Sequence, residues 1–192
     1  MDGYDINEGK KVSNDENLIT EGLKYMYYFL VGISFVIPVL LMLNLLYINV
    51  VGANGQIVER TQYFIWTSPL LLGKIFRETA DGAFFTLAAL IPLILLFIGL
   101  FYFAVSIVKA FKEKISWKHA ESCNQALTSI IIAIAATLLI FSIIDSFFNI
   151  RTGLSGQDLY FNIFIYIALA LAILGKVVAY FYFIQVKNKH LF

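Results

Sequence analysis

The stretch "FFTLAALIPLILLFIGLFYFAVSIV", residues 84–108, carries no charged side chain from end to end. A helix needs roughly 20 apolar residues to cross the hydrocarbon of a bilayer, and this stretch supplies them. It is too long for an ordinary strand. It also lacks the polar–apolar alternation of a membrane barrel strand, whose inner face meets water. In hydrocarbon every backbone N–H and C=O must be paired within the segment, so the expected form is a helix.

Three more runs share this character: "YMYYFLVGISFVIPVLLMLNLLYINVV" at 25–51, "LTSIIIAIAATLLIFSIIDSFFNI" at 127–150 and "YFNIFIYIALALAILGKVVAYFYFI" at 160–184. The composition agrees with a lipid setting. Only 14% of the residues are charged, where a soluble domain carries about 25%. The expected fold class is therefore all-α, an integral membrane four-helix bundle in a single domain. The first run is not expected to be a cleaved signal peptide. It follows a polar, acid-rich stretch, its apolar core is too long, and no small-x-small cleavage site comes after it.

The remaining segments divide as 1–24 before the first span, 52–83 as a large loop, 109–126 and 151–159 as short loops, and 185–192 as a tail. Lys and Arg in the loops set the orientation. With both termini inside, nine basic residues lie in the cytoplasm and four outside (Arg60, Lys74, Arg77 and Arg151). The linker "KAFKEKISWKH" is the strongest single signal. Both termini are expected in the cytoplasm, with a bacterial inner membrane as the expected location.

The first dozen residues read as disordered. "SNDE" fits a capping box, Ser13 as N-cap and Glu16 at N3, opening a surface helix through Leu18, Ile19 and Leu23. In the large loop, "TSPLLLGKIFRETADG" predicts a short amphipathic helix. Ser68 caps it, Pro69 takes its first turn and Gly82 ends it. Leu72, Ile75 and Phe76 share its apolar face, which suits the outer leaflet or the top of the bundle. Upstream, "GQIVERTQYFIW" alternates weakly and is compatible with an extended segment.

Lys176 stands inside the fourth run with apolar or small residues for eight positions on either side. A charge at the centre of a bilayer costs about 2.5–3.5 kcal/mol on insertion scales. Side chains tilt toward a helix N-terminus, here away from the nearer interface, which makes snorkelling awkward. The lysine is expected to face the bundle and find an acceptor. Asp145 is the only carboxylate well inside a run, but it sits roughly 15 Å away in depth at 1.5 Å per residue. Asn44, Thr137 and Ser142 are uncharged candidates for the same polar site, with Ser34, Ser106, Tyr102 and Tyr166 behind them. Such a lysine serves as polar glue, as a partner contact or as part of an ion route.

Pro38 and Pro92 interrupt the first two runs and are candidate kinks, able to free a carbonyl and open a cavity. Gly32, Gly99 and Gly175 suit close helix approach. Enzyme classes lack their parts. The two histidines, His119 and His190, fall outside the runs, and the single cysteine, Cys123, excludes an internal disulfide and a CxxC site. No P-loop, HExxH or GxSxG motif is present, so no catalytic set, metal or cofactor is expected. A net charge of +1 and no basic patch interleaved with aromatics point away from nucleic acid.

The segment "LFYFAVSIVKAFKEKISWKHAESCNQALTSIIIAIAATLLIFSII", with Ser116, Asn124 and Leu127 at characteristic spacing, resembles the centre of a widespread bacterial family of small four-span membrane proteins of unknown function. The resemblance extends over roughly residues 98–186. Thr128 stands where that family often carries a basic residue, and "KNKHLF" replaces its acidic tail. The resemblance implies a bacterial inner-membrane protein of unknown mechanism, from a family often suspected of regulatory partnership, and carries over no functional residue. The expected function is a non-catalytic accessory, regulatory or structural subunit acting through membrane partners or self-association. The alternative is a small transporter or channel component using Lys176 and Asp145 near a Pro-kinked cavity.

Overall fold

The computed structural model describes residues 6–51, 54, 56–67, 82–112, 117–151 and 157–189. Four long helices dominate: α1 (Ile6–Leu41), α2 (Gly82–Lys112), α3 (Trp117–Arg151) and α4 (Ile163–Lys189). Each contains a stretch long and apolar enough to cross a membrane: Glu21–Leu41, Thr86–Lys112, Lys118–Ile143 and Ile163–Lys187. Three strands accompany them: β1 (Asn44–Val51), β2 (Ile57–Phe64) and β3 (Gln157–Phe161).

The helices pack through stripes of buried residues at alternating three- and four-residue spacing. In α4 the stripe is Ile165, Ala168, Ala172, Gly175, Ala179, Tyr182 and Val186. In α2 it is Ala89, Pro92, Leu96, Gly99, Phe103, Ser106 and Ala110. That period keeps one seam facing a partner along the whole helix. Lipid is as apolar as leucine, so association depends on close fit and small residues rather than on hydrophobic burial. α3 is buried on two sides, lying between α2 and α4, and α1 packs mainly on α4. The apolar faces that remain, such as Phe84, Leu87, Ile91, Phe101 and Phe111 of α2, are exposed and suit lipid.

Gly99 marks the tightest approach. A Cβ there would lie 2.5 Å from Ile130 Cγ1 and 3.2 Å from the backbone carbonyl oxygen of Ala126. A β-branched side chain and a helix backbone have little room to yield. Gly99→Ala is expected to destabilise the α2–α3 pair by about 1–2 kcal/mol, read from unfolding in mixed micelles. Gly32, by contrast, has nothing within 4 Å of a Cβ position, so the expected close approach does not occur there.

The all-α expectation is corrected by the sheet. It is antiparallel, in the order β2-β1-β3. The run 25–51 is not one helix: α1 stops at Leu41, and Asn44–Val51 becomes the central strand. A helix over the whole run would be about 40 Å long, more than the roughly 30 Å of hydrocarbon. Leu45 to Val51 is rich in β-branched and aromatic residues that suit a strand, and both neighbours complete its ladder. Asn44 accordingly pairs with Phe64 at the head of β1 and is not part of an intramembrane helix. A sheet with open edges does not occur in hydrocarbon, so this one lies beyond the apolar stretches, at the end of the bundle opposite the chain termini.

Several side chains fasten the sheet. Arg60 Nε donates to Asn49 Oδ1 at 2.9 Å, and its guanidinium lies 5.6 Å from the Tyr47 ring centre. Asn162 joins β3 to α4. Its amide N–H donates to the Leu45 carbonyl at 2.9 Å, and its Nδ2 donates to Tyr47 Oη at 2.8 Å. Leu45, Ile65, Thr137, Phe141, Phe161 and Ile165 converge where the sheet meets the helices.

Other expectations also change. Pro38 lies in the last turn of α1, inside the apolar stretch Glu21–Leu41, and its carbonyl accepts from Met42 N–H at 3.1 Å. Pro92 is buried on the seam of α2. Ser13 and Glu16 fall inside α1, which begins at Ile6. Gly82 is the first residue of α2. The predicted amphipathic helix, with Leu72, Ile75 and Phe76, lies outside the described residues.

Candidate functional site

Lys176 reaches its acceptor on α3. Its Nζ donates to Thr128 Oγ1 at 2.8 Å. The threonine hydroxyl in turn donates to the carbonyl of Asn124 at 2.8 Å. The hydroxyl hydrogen is thereby turned onto the helix backbone, which leaves its lone pairs for the ammonium. Gly175 makes the placement possible, because a Cβ there would lie 3.0 Å from Ile33 Cδ1 and 3.3 Å from Leu127. The bare backbone lets α1, α3 and α4 meet, and the next residue emerges at the α3–α4 seam, half-buried.

Lys176 makes no ion pair among the described residues. Asp145 is not its partner, since it lies on α3 about 25 Å along the axis from Thr128 at 1.5 Å per residue. Its side chain is outside the described residues. Thr137 is buried but donates to its own Ala133 carbonyl at 2.8 Å. Ser142 is exposed, and its carbonyl accepts from Ser146 at 2.9 Å. The candidate residues are thus not brought together: Lys176 is separated from Asn44, Thr137, Ser142 and Asp145.

A groove of about 260 Å³ opens between α3 and α4 on the termini side of this pair. Glu121, Asn124 and Gln125 line one wall, and Ala179, Tyr180 and Phe183 the other. Thr128 and Lys176 continue these two walls by one helical turn, deeper into the bundle.

A second polar cluster lies near the same end, inside the bundle. His119 and Cys123 are 0% exposed, as are Tyr182 and Ser106. The His119 ring lies 5.4 Å from that of Tyr27 and 6.3 Å from that of Tyr182. Among the described residues neither imidazole nitrogen has a hydrogen-bond partner, and the same holds for Tyr182 Oη and Ser106 Oγ. Tyr27 Oη donates to the Ala110 carbonyl at 2.8 Å, and Lys109 Nζ donates to Ser122 Oγ at 2.7 Å. Cys123 Sγ is 3.9 Å from Ser34 Oγ. The sequence places His119 and Cys123 in a loop, whereas the structure sets both in the packed interior. Cys123 is therefore expected to resist thiol-specific maleimides in intact membranes and to label only after unfolding. Labelling in the folded protein would show that the seam opens.

Among the described residues the unpartnered buried polar groups, those of His119, Tyr182 and Ser106, lie toward the termini. In the half nearer the sheet, Ile37, Leu41, Leu45, Ile134, Ala168 and Ala172 fill the core. Among the described residues no three metal-binding side chains gather. Comparison with protein-family models, with curated proteins and with solved structures gives no match.

Proposed function

We propose that this protein is a non-catalytic accessory, regulatory or structural subunit that acts through contacts with a partner inside the membrane. The observation that carries the reading is Lys176. It is an ammonium at the middle of a spanning helix, half-buried, held by one hydroxyl and placed one helical turn beyond the α3–α4 groove. Ionisable residues at that depth are costly to keep, and by default they mark a functional contact. The excess of Lys at the termini side supports a cytoplasmic location for both ends, in keeping with a bacterial inner membrane.

A second reading, a small transporter or channel component, draws support from the groove with Glu121, Asn124 and Gln125 on one wall, which ends one turn short of Lys176. A route across the membrane must also pass the sheet-side core, which is packed with Ile, Leu and Ala. That packing favours the accessory reading.

The test is affinity capture from mild detergent, followed by mass spectrometry, with the parent chain and Lys176→Met. A membrane protein or second copy recovered with the parent and depleted with Lys176→Met supports the proposal. No recovered partner and no self-association, together with ion or solute flux in reconstituted vesicles that vanishes in folded Lys176→Met, defeats it in favour of transport.

A further inference from the structure

We infer that the partner contributes a transmembrane helix bearing one carboxylate near its middle, which lies along the α3–α4 seam over the groove and meets Lys176 one turn beyond it. This rests on the partner-contact reading above and adds the chemistry of the partner.

An ammonium carries three N–H donors, and Lys176 spends one on Thr128. The Thr128 hydroxyl is neutral, so the positive charge itself has no counterpart among the described residues. The deficit is one negative charge at one depth. Lys176 lies about 16 Å along α4 from Lys187, and Thr128 about 15 Å along α3 from Lys118, at 1.5 Å per residue. Half of a bilayer's hydrocarbon thickness is about 15 Å, so the pair sits close to the midplane. A lipid phosphate stays in the head-group layer and would have to descend that whole distance. A carboxylate on a spanning helix is already there.

The groove adds a second constraint on the occupant. Glu121 lies two turns nearer the termini on the same wall as Thr128 and is exposed. A helix entering with its acidic residue near that end meets like charge, and one with the acidic residue at mid-depth meets Lys176. With Glu121 on the groove wall and Lys176 one turn beyond its inner end, the seam selects the depth of the partner's charge as well as its sign. Ala179 leaves room for close approach, and Tyr180, 60% exposed, offers a broad apolar flank with a hydroxyl at its tip.

The experiment uses the full chain in phosphatidylcholine vesicles, with a dye at Gln185→Cys, an exposed position on α4. The probes are synthetic Leu/Ala helices of about 24 residues, each carrying an acceptor dye. One has Glu at its centre, one Gln, one Leu, and two have Glu moved two turns toward either end. Energy transfer is expected to show the centre-Glu helix binding about tenfold more tightly than the other four. The preference is expected to vanish in Lys176→Met and persist in Lys176→Arg, with circular dichroism confirming helical content in both. In Lys176→Glu it is expected to pass to a centre-Lys helix. Equal binding of all five helices, or a preference unchanged in Lys176→Met, overturns the inference. If capture from cells still depends on Lys176 while the helices bind equally, the carboxylate assignment falls and the partner reading stands. If capture yields no partner and no second copy, the partner reading itself falls.

Discussion

Thr128→Val is expected to destabilise the bundle by about 2–3 kcal/mol, because it leaves an ammonium at mid-bilayer without its acceptor. Valine matches threonine in shape, so packing along α3 changes little and the loss reports the hydroxyl. Lys176→Met is expected to behave differently. It removes a single interhelical hydrogen bond, worth about 0.6 kcal/mol on average in membranes. It also removes the charge that required the bond. The single variant should be as stable as the parent or more so. The double variant should recover most of what Thr128→Val loses, since valine and methionine then meet as two apolar side chains. Steric-trap or denaturant unfolding in micelles measures all four corners of this cycle. A destabilised Lys176→Met with no recovery in the double variant would make the lysine part of the structural glue. A stable Lys176→Met that no longer captures its partner marks a residue kept for function at a cost in stability.

The second large effect concerns His119. A wholly buried imidazole with neither nitrogen bonded costs about 1–3 kcal/mol in lost hydration. His119→Phe keeps a ring between Tyr27 and Tyr182 and removes the two polar atoms, so a gain of about 1–2 kcal/mol is expected. His119→Ala empties the space instead and should lose about 3 kcal/mol, as large-to-small changes in packed interiors do. Thermal unfolding in detergent distinguishes these outcomes. If both variants lose stability equally, the imidazole nitrogens are bonded through water, and the cluster of His119, Tyr182 and Ser106 is a hydrated network rather than an apolar core.

The helices were legible because their signal is redundant. Residues 84–108 hold nothing but apolar and small side chains apart from a Thr, a Tyr and a Ser, and no fold other than a helix satisfies such a backbone in lipid. The strand β1 was not legible, for a related reason. Leu45 to Val51 is apolar and continuous with α1, so hydropathy extends the helix through it. Only the ladders, with β2 across a short turn and with β3 more than a hundred residues on, decide for extended backbone. The acceptor of Lys176 was missed through register. Depth counted from the middles of the runs sets Asp145 apart from Lys176 without singling out Thr128, whereas the packing of Gly175 on Leu127 brings Thr128 level with the lysine. The seams hold the information. Ala120, Cys123 and Ala126 carry the buried stripe of Leu127 and Ile130 back along α3, ahead of the point where hydropathy rises. That stripe is the sequence signal that would have placed His119 in the interior.

The direct passage from α1 into β1 and from β3 into α4 has a mechanical consequence. β1 and β3 are adjacent strands, and Asn162 ties the start of α4 to both Leu45 and Tyr47. The two helices are thus the arms of a pair of tweezers whose rivet is the sheet. Any splaying between them must be smallest at the rivet and largest at the tips, where Tyr27 and Tyr182 flank His119. A force applied to the tail beyond Lys189 would be felt first at those rings.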